Sequence, residues 1–121
     1  MHYVDGFVLA VPTKNIELYR EMAEFAGKIW MRHGAVRYVE TVIDDAGDEG
    51  PCGISFPKAF DVKSDETTVF AYIVYQSREH RDEVNQKVMK DDDMKQMDGK
   101  YKDVFDVKRM VYSGFKAIVE F

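Results

Sequence analysis

The alternation of apolar and polar positions along the chain predicts four strands and two helices. Runs of β-branched and aromatic residues over 3–11, 35–43, 67–75 and 108–121 are typical of strands. Apolar residues recur at helical spacing over 14–33, and a weaker, more polar helical pattern covers 77–89. The order β-α-β-β-α-β predicts an α+β, ferredoxin-like fold, in which both helices cover one face of an antiparallel sheet.

Residue types at the ends of the predicted helices agree with these boundaries. Thr13 and Ser77 suit N-cap positions, because a hydroxyl oxygen accepts a hydrogen bond from an N–H of the first turn. Gly34 lies where a glycine in the left-handed conformation commonly ends a helix. The acidic run 91–93 follows the second helix, and we expect it to be a solvated helix end, since acids are unfavourable at a helix C-terminus.

The connection between the second and third strands, residues 44–66, is longer than most loops. Its first half is rich in acids and glycines, and its second half contains the apolar sequence ISFPKAF. We expect the second half to be an extra extended segment at a sheet edge, because Pro57 has no N–H for a ladder hydrogen bond.

Both faces of the predicted sheet are apolar. In the first strand, Tyr3, Phe7 and Leu9 alternate with Val4 and Val8. A half-exposed antiparallel sheet is normally polar on one side, so the face opposite the helices needs a cover. We expect a second copy of the chain, packed sheet against sheet as a dimeric α/β barrel. Edge pairing of the strands, or cover by the 44–66 connection, are the alternatives.

Composition and charge narrow the classes of function. The chain suits a single domain, 1–121, with 45% hydrophobic and 32% charged residues. Its net charge of −5 disfavours nucleic acid as a partner. No apolar run approaches the ~20 residues of a membrane helix, and the N-terminal sequence lacks the basic region of a signal peptide. We therefore expect a cytoplasmic protein without a membrane partner, and the single cysteine leaves no internal disulfide.

The sequence YQSREHRD contains Ser77, His80 and Asp82, the residue types of a nucleophilic triad. Asp82 lies about 200° round the helix from His80, so a local triad is excluded. His80 shares a face with apolar residues, which predicts a partly buried histidine with one hydrogen-bond partner. The topology brings His2 and His33 to the same end of the molecule, but no zinc-motif spacing is present, so we expect no metal.

Several phrases of the chain together resemble the YbaA-like family of small bacterial proteins. They are YVDGFVLAVP, HGAVRYVE, SFPKAF, DETTVFAYIVYQSREHRDEVNQKVMKD and FDVKRMVYSGFKAIVEF. The resemblance implies a dimeric α+β barrel in a bacterial cytoplasm. It implies no catalytic residue, because the family is a domain of unknown function.

Candidate site residues lie on the strands and on the second helix. If these strand faces line the barrel, we expect an acid in its low-dielectric interior to have a raised pKa and to be able to move a proton. Arg81 and Asn85 share a helix face that suits a carboxylate or phosphate of a ligand, and equally the 44–66 connection or a partner chain. The candidate cavity residues are Asp5, Tyr38, Glu40, Tyr72, His80, Arg81, Tyr112 and Lys116, and catalytic residues are not assigned.

These residues predict a homodimer that binds or transforms a small apolar or aromatic molecule in a barrel cavity, without a cofactor. In the alternative interpretation, Glu40 and Lys116 point to solvent and the tyrosines pack the dimer interface. The protein is then a non-catalytic structural or stress-related dimer with no ligand pocket.

Overall fold

The computed structural model describes residues 1–47 and 51–121 and shows an α+β fold. Within these residues, one antiparallel sheet has the strand order β2-β3-β1-β4. Its strands are β1 (Tyr3–Pro12), β2 (Arg37–Val42), β3 (Glu66–Tyr75) and β4 (Val111–Lys116). The helices are α1 (Ile16–Arg32), α2 (Phe56–Ala59), α3 (Arg78–Met89) and α4 (Asp92–Lys100). The predicted α+β class with an antiparallel sheet is confirmed.

The short helix α2 replaces the extended edge segment expected in the second half of the 44–66 connection. Pro57 lies in its first turn, where a missing N–H leaves no helical hydrogen bond unmade. Ser55 caps the helix by accepting a hydrogen bond from the backbone N–H of Lys58 at 3.4 Å. The expectation of a strand was therefore wrong here. Residues 48–50 of the same connection lie outside the described residues.

The acidic run 91–93 begins a new helix, α4, and is not the solvated end of α3. Asp91 caps α4, because its carboxylate accepts a hydrogen bond from the N–H of Asp93 at 2.9 Å. Acids in the first turn are then favoured by the helix dipole. Asp91 also binds Arg32 at 2.6 Å and His33 at 2.7 Å. One carboxylate thus joins the C-terminus of α1 to the N-terminus of α4.

The ends of the two predicted helices agree with the sequence at Ser77 and Gly34, but not at Thr13. Ser77 precedes α3, and its hydroxyl oxygen accepts a hydrogen bond from the N–H of His80 at 3.1 Å. Gly34 follows α1 with a φ of +110°, the left-handed conformation expected of a helix end. Thr13 lies in a single 3-10 turn before α1, and its hydroxyl pairs with that of Thr67 at 2.9 Å.

The hydrophobic core lies between the helices and one face of the sheet, here called the inner face. Odd-numbered residues of β1 and β3 form its centre, and Leu9 faces Val69 across the two strands. The helices contribute a matching apolar face, on which Val84 and Val88 of α3 are buried as the sequence predicts. Fully buried side chains are Val11, Ile29, Val69, Tyr75, Val84, Val88 and Val104.

The opposite, outer face of the sheet is also apolar. The strand register places Val4, Val8, Phe70, Tyr72, Val74, Val111 and Phe115 on this face. The described residues leave much of it open, since Phe70 is 44% exposed and Phe115 is 58% exposed. The outer face therefore lacks the polar residues of a solvent-exposed sheet face, as the sequence predicts.

A buried ion pair joins β1 to α3. Asp5 is 6% exposed, and its carboxylate accepts a hydrogen bond from Nη1 of Arg81 at 2.7 Å. The Nε of Arg81 donates to Asp82 at 2.7 Å, and the guanidinium lies 5.0 Å from the centre of the Tyr3 ring. Gly114 in β4 leaves the space, because a Cβ there would lie 2.9 Å from Nη1 of Arg81. β1, β4 and α3 are thus packed around one pair of charges.

Two opposing effects act on the pKa of Asp5. Burial is the larger one and raises the pKa above its ordinary value. The positive charge of Arg81 and its hydrogen bond lower the pKa, and so do hydrogen bonds with Asn85 and Tyr75. The ionised form of Asp5 therefore depends on Arg81.

Replacing Ser77 by alanine is expected to lower the free energy of unfolding by about 0.5–2 kcal/mol, because a first-turn N–H of α3 loses its acceptor. Urea unfolding followed by circular dichroism measures the change. Ser64→Ala is the control, since Ser64 is exposed in a turn and should change stability by less than about 0.5 kcal/mol. Equal effects of the two substitutions would contradict the role of Ser77 as a cap.

Replacing Arg81 by leucine is expected to cost about 3 kcal/mol of stability at neutral pH, because Asp5 stays buried without its cation. The pKa of Asp5, already above the ordinary value of 3.8, then rises further. Between the raised pKa and the ordinary value, Asp5 is protonated in the folded variant and ionised in the unfolded chain. The loss of stability caused by the substitution therefore becomes smaller as the pH falls toward the ordinary value.

Urea unfolding of the wild type and the variant at a series of pH values measures this effect. Arg20→Leu is the control, since the side chain of Arg20 is 66% exposed, and it should cost less than about 1 kcal/mol. A loss of stability in Arg81→Leu that does not change with pH would show that packing, and not charge, is what Arg81 contributes.

Candidate functional site

A cavity of about 430 Å³ lies between the inner face of the sheet and the helices α1, α3 and α4. Most of its wall is apolar and flexible, because five of the seven methionines of the chain line it. The apolar lining includes Phe7, Leu9, Ala26, Ala71, Ile73 and Phe105 together with Met22, Met89, Met94, Met97 and Met110.

A carboxylate held by two phenols is the first polar group of the cavity wall. The hydroxyl of Tyr19, on α1, donates to Oε1 of Glu40 at 2.7 Å, and the hydroxyl of Tyr38 donates to Oε2 at 2.8 Å. Burial raises the pKa of Glu40, and the two hydrogen bonds act against this rise. The pKa values of both tyrosines are raised by burial and by the neighbouring carboxylate. The tyrosines therefore remain protonated donors to the carboxylate of Glu40.

Gly27 on α1 determines where the Tyr38 ring can lie. A Cβ at position 27 would be 2.9 Å from Cδ1 of Tyr38, which is closer than real contacts allow. The helix can therefore approach β2 only because this position has no side chain. The Tyr38 ring also lies next to that of Trp30, with ring centres 6.1 Å apart.

A second polar group surrounds Asn85 on α3. Its Oδ1 accepts a hydrogen bond from the indole N–H of Trp30 at 3.1 Å and from the hydroxyl of Tyr75 at 3.3 Å. Asn85 and Tyr75 also lie close enough to Asp5, the carboxylate paired with Arg81, to lower its pKa. The charged pair is thus connected to the aromatic wall of the cavity through Asn85.

The strand register separates the two polar groups. Tyr38 faces Ile73 and Ile73 faces Asp5, so one row crosses the sheet from β2 to β1. Glu40 and Ala71 belong to the next row of the inner face. Two strand spacings of about 4.8 Å, together with a step of two residues along the strand of about 7 Å, place the backbone positions of Glu40 and Asp5 roughly 12 Å apart. The floor between them is apolar, and Ala71 leaves room above it.

The structure brings together only part of the candidate residue set. Asp5, Tyr38, Glu40, Arg81 and Tyr112 all line the cavity, although Tyr112 is 64% exposed at the edge strand β4. The five residues come from four separate elements, and the sheet register is what makes them neighbours.

Three candidate residues lie elsewhere. Tyr72 is on the outer face, beside Phe70 with ring centres 6.2 Å apart. Lys116 is exposed at the end of β4. His80 accepts a hydrogen bond from the N–H of Gln76 at 3.0 Å and packs edge-on against Tyr75. Tyr72 is separated from this cavity by the sheet, because the sequence shows which residues share a strand face but not which of the two faces is covered. Lys116 faces Tyr3 in the register of the inner face, but it lies beyond the cavity lining.

The cavity lies in a different place from the one expected. The sequence suggested a space enclosed by the sheets of two chains, whereas this cavity lies between the sheet and the helices of a single chain. Arg81 was expected to bind a ligand, the 44–66 connection or a partner chain, and its partners are Asp5 and Asp82 of the same chain. The first difference arises because the helices do not fill the space above the inner face, and the second because Arg81 reaches the buried carboxylate of Asp5 in its own chain.

Sequence reasoning missed several residues that shape the site, namely Tyr19, Gly27, Trp30, Gly114 and the methionines. Tyr19 and Trp30 belonged to the apolar stripe of the first helix, and their polar atoms gave no separate signal. A glycine inside an otherwise regular helical pattern was the one available indication, since it commonly marks close packing.

The histidines have separate partners. His2 binds Glu120, and His33 binds Asp91. Across residues 1–47 and 51–121, no group of three or more histidine, cysteine or acidic side chains is arranged to hold a metal ion. In the same residues, no helix is both long enough and apolar enough to cross a membrane.

Two solved structures resemble this fold over nearly its whole length. A nipsnap family protein of unknown function from Agrobacterium tumefaciens has a TM-score of 0.60 and 16% sequence identity, and the match covers 96% of this chain and 87% of that chain. SnoaB, a cofactor-independent oxygenase from Streptomyces nogalater, has a TM-score of 0.52 and 11% identity, with 98% and 95% covered. At these identities the likeness concerns the fold alone.

The sequence itself has much nearer relatives. The uncharacterized protein YbaA of Escherichia coli strain K12 is 42% identical over 120 residues, which is 99% of both chains. YbaA of Shigella flexneri matches to the same extent. The model of a family described as a protein of unknown function, DUF1428, matches residues 2–107. The predicted resemblance is therefore confirmed, and the chain belongs to the DUF1428 family, as a YbaA-like protein.

Proposed function

We propose that the protein binds a small, mainly apolar molecule in the cavity between its sheet and its helices. The observation that carries this proposal is the cavity itself, whose volume of about 430 Å³ is within the usual range for small-molecule sites. Its wall combines aromatic rings and methionines with a few polar groups at defined positions, which is the usual composition of such sites.

The polar groups of the cavity determine how the ligand is oriented. An apolar body lies over the floor formed by Phe7, Ala71 and Ile73 and gains from leaving water. Its hydrogen-bonding group meets Glu40 at one side of the cavity or the Asn85 cluster at the other. Methionines can adapt to the shape of the ligand, because their side chains are unbranched and flexible.

The proposal includes a homodimer in which two ferredoxin-like sheets pack through their outer faces as an α/β barrel. The support is the apolar outer face, on which Phe70, Val111 and Phe115 are exposed in the single chain. Large exposed apolar patches mark interaction surfaces. In this arrangement each chain keeps its own cavity, because the helices lie on the opposite side of the sheet.

Filling the cavity is expected to block binding. Met22→Trp places a larger ring in the lining, and it should weaken binding of naphthylmethanol, an aromatic probe with one hydroxyl, by about tenfold or more. Met31→Trp is the control, because Met31 lies on the same helix, is 46% exposed and is not part of the lining.

Isothermal titration calorimetry measures the affinities, and circular dichroism checks that both variants fold. Fluorescence of Trp30, the single tryptophan of the wild type, reports whether the probe enters the cavity. Unchanged affinity in Met22→Trp would contradict the proposed site. Absence of binding to the wild type would favour the non-catalytic structural dimer.

A charge on the outer face is expected to separate the dimer. Phe70→Asp should give a monomer in analytical ultracentrifugation at micromolar concentration, because an unpaired carboxylate would be buried between two sheets. Leu18→Asp, on α1, is the control, since Leu18 and Phe70 are both 44% exposed. A wild-type protein that sediments as a monomer, or a Phe70→Asp variant that stays dimeric, would overturn the sheet-to-sheet arrangement.

A further inference from the structure

The carboxylate of Glu40 has polar partners but no positive one. Its two oxygens accept hydrogen bonds from Tyr19 and Tyr38, which are neutral phenols. None of the ion pairs formed within residues 1–47 and 51–121 includes Glu40. Carboxylates removed from water are normally paired with a cation or a metal. Asp5, the other carboxylate of the inner face, has such a partner in Arg81.

The hydrogen-bonding atoms that remain unused around Glu40 are acceptors. Tyr19 and Tyr38 each have one hydroxyl hydrogen, and both hydrogens are directed at Glu40. The only N–H of the Trp30 side chain is directed at Asn85. The carboxylate still has unused lone pairs, because it offers about four acceptor sites. A ligand group that binds here must therefore donate hydrogen bonds.

The charge of the cavity also disfavours an anion at this position. The acidic side chains of the lining are Asp5, Glu40 and Asp98, whereas the basic one, among the described residues, is Arg81. Arg81 is already bound to Asp5 and to Asp82. Asp98 is exposed on α4, where its charge attracts cations toward the cavity.

Aromatic rings complete the surroundings of Glu40. The rings of Trp30 and Tyr38 have centres 6.1 Å apart, and those of Tyr19 and Phe105 have centres 5.8 Å apart. All four residues line the cavity. Aromatic faces attract organic cations, and such attraction is stronger away from water.

We propose that the ligand is an organic amine, protonated at neutral pH, whose ammonium group binds Glu40 while its apolar body fills the cavity. This inference rests on the proposed binding function and names the class of the ligand. The ammonium supplies both missing elements, since it is a positive partner for the carboxylate and a donor of several hydrogen bonds.

The titration of Glu40 supports an amine as the ligand class and predicts how binding depends on pH. Burial raises the pKa of Glu40 above its ordinary value of 4.5, and a bound ammonium lowers it again. Affinity for an amine should therefore increase with pH through the raised pKa of Glu40, with release of a proton on binding. Other titratable groups facing this region are Tyr19 on α1, Tyr38 on β2 and Asp98 on α4, with Glu17, Arg20, Glu24 and Lys28 along the groove outside α1.

The test compares three probes with the same aromatic body, which are naphthylmethylamine, naphthylmethanol and naphthoate. Isothermal titration calorimetry on the wild type at neutral pH is expected to show the amine binding about tenfold tighter than the alcohol, and naphthoate weakest. In Glu40→Gln the amine should lose this advantage, whereas the affinity for the alcohol should change little. Asp92→Asn is the control, since the side chain of Asp92 is 93% exposed on α4, is not part of the lining and should leave the preference unchanged.

A pH series on the wild type tests the same point without a variant, in case Glu40→Gln does not fold. The affinity for the amine should rise with pH, and the affinity for the alcohol should stay constant. Equal binding of amine and alcohol, tighter binding of naphthoate, or pH-independent binding of the amine would overturn the ligand class while the binding function stands. Absence of binding by all three probes would overturn the binding function and, with it, this inference.

Discussion

The ion pair between Asp5 and Arg81 joins the two halves of the chain at the cavity. Asp5 comes from the first strand and Arg81 from the helix that follows the third, so the pair spans most of the sequence. A carboxylate 6% exposed is stable there only with its cation, because an unpaired buried charge is strongly destabilising. The position of α3 over the sheet, and with it the position of Asn85, depends on this contact.

A cavity remains above the inner face because of the sizes of the residues that surround it. Gly27 lets α1 approach Tyr38, and Gly114 leaves space for Arg81 and Tyr3. These close approaches occur at the sides, whereas Ala71 in the central strand β3 contributes almost no volume to the middle. Methionines from α1, α3 and α4 line the space on the helix side. Tight contacts around a small central residue therefore leave a cavity beside an otherwise well-packed core.

The two inner-face carboxylates differ in what surrounds them, and this difference gives them different roles. Asp5 is paired with a guanidinium and bonded to neighbouring polar groups, so it acts as a structural link. Glu40 is bonded only to neutral phenols, so its charge is not compensated by the protein. Two acids on one sheet face thus serve separate purposes because one has a cation nearby and the other does not.

The sequence by itself determined the four strands and the two long helices between them, the antiparallel α+β class, the cap at Ser77 and the apolar nature of both sheet faces, since these depend on periodicity and on local hydrogen bonds. It misplaced α2 and α4, because Pro57 and the acidic run 91–93 have two local interpretations each, and only packing selects between them. The site needed the tertiary structure. Glu40 and Tyr38 were visible as one strand face, but Tyr19 and Trp30 could not be assigned to them from a helical stripe. Which face the helices cover, and how far they stand from it, is decided by contacts between residues distant in sequence.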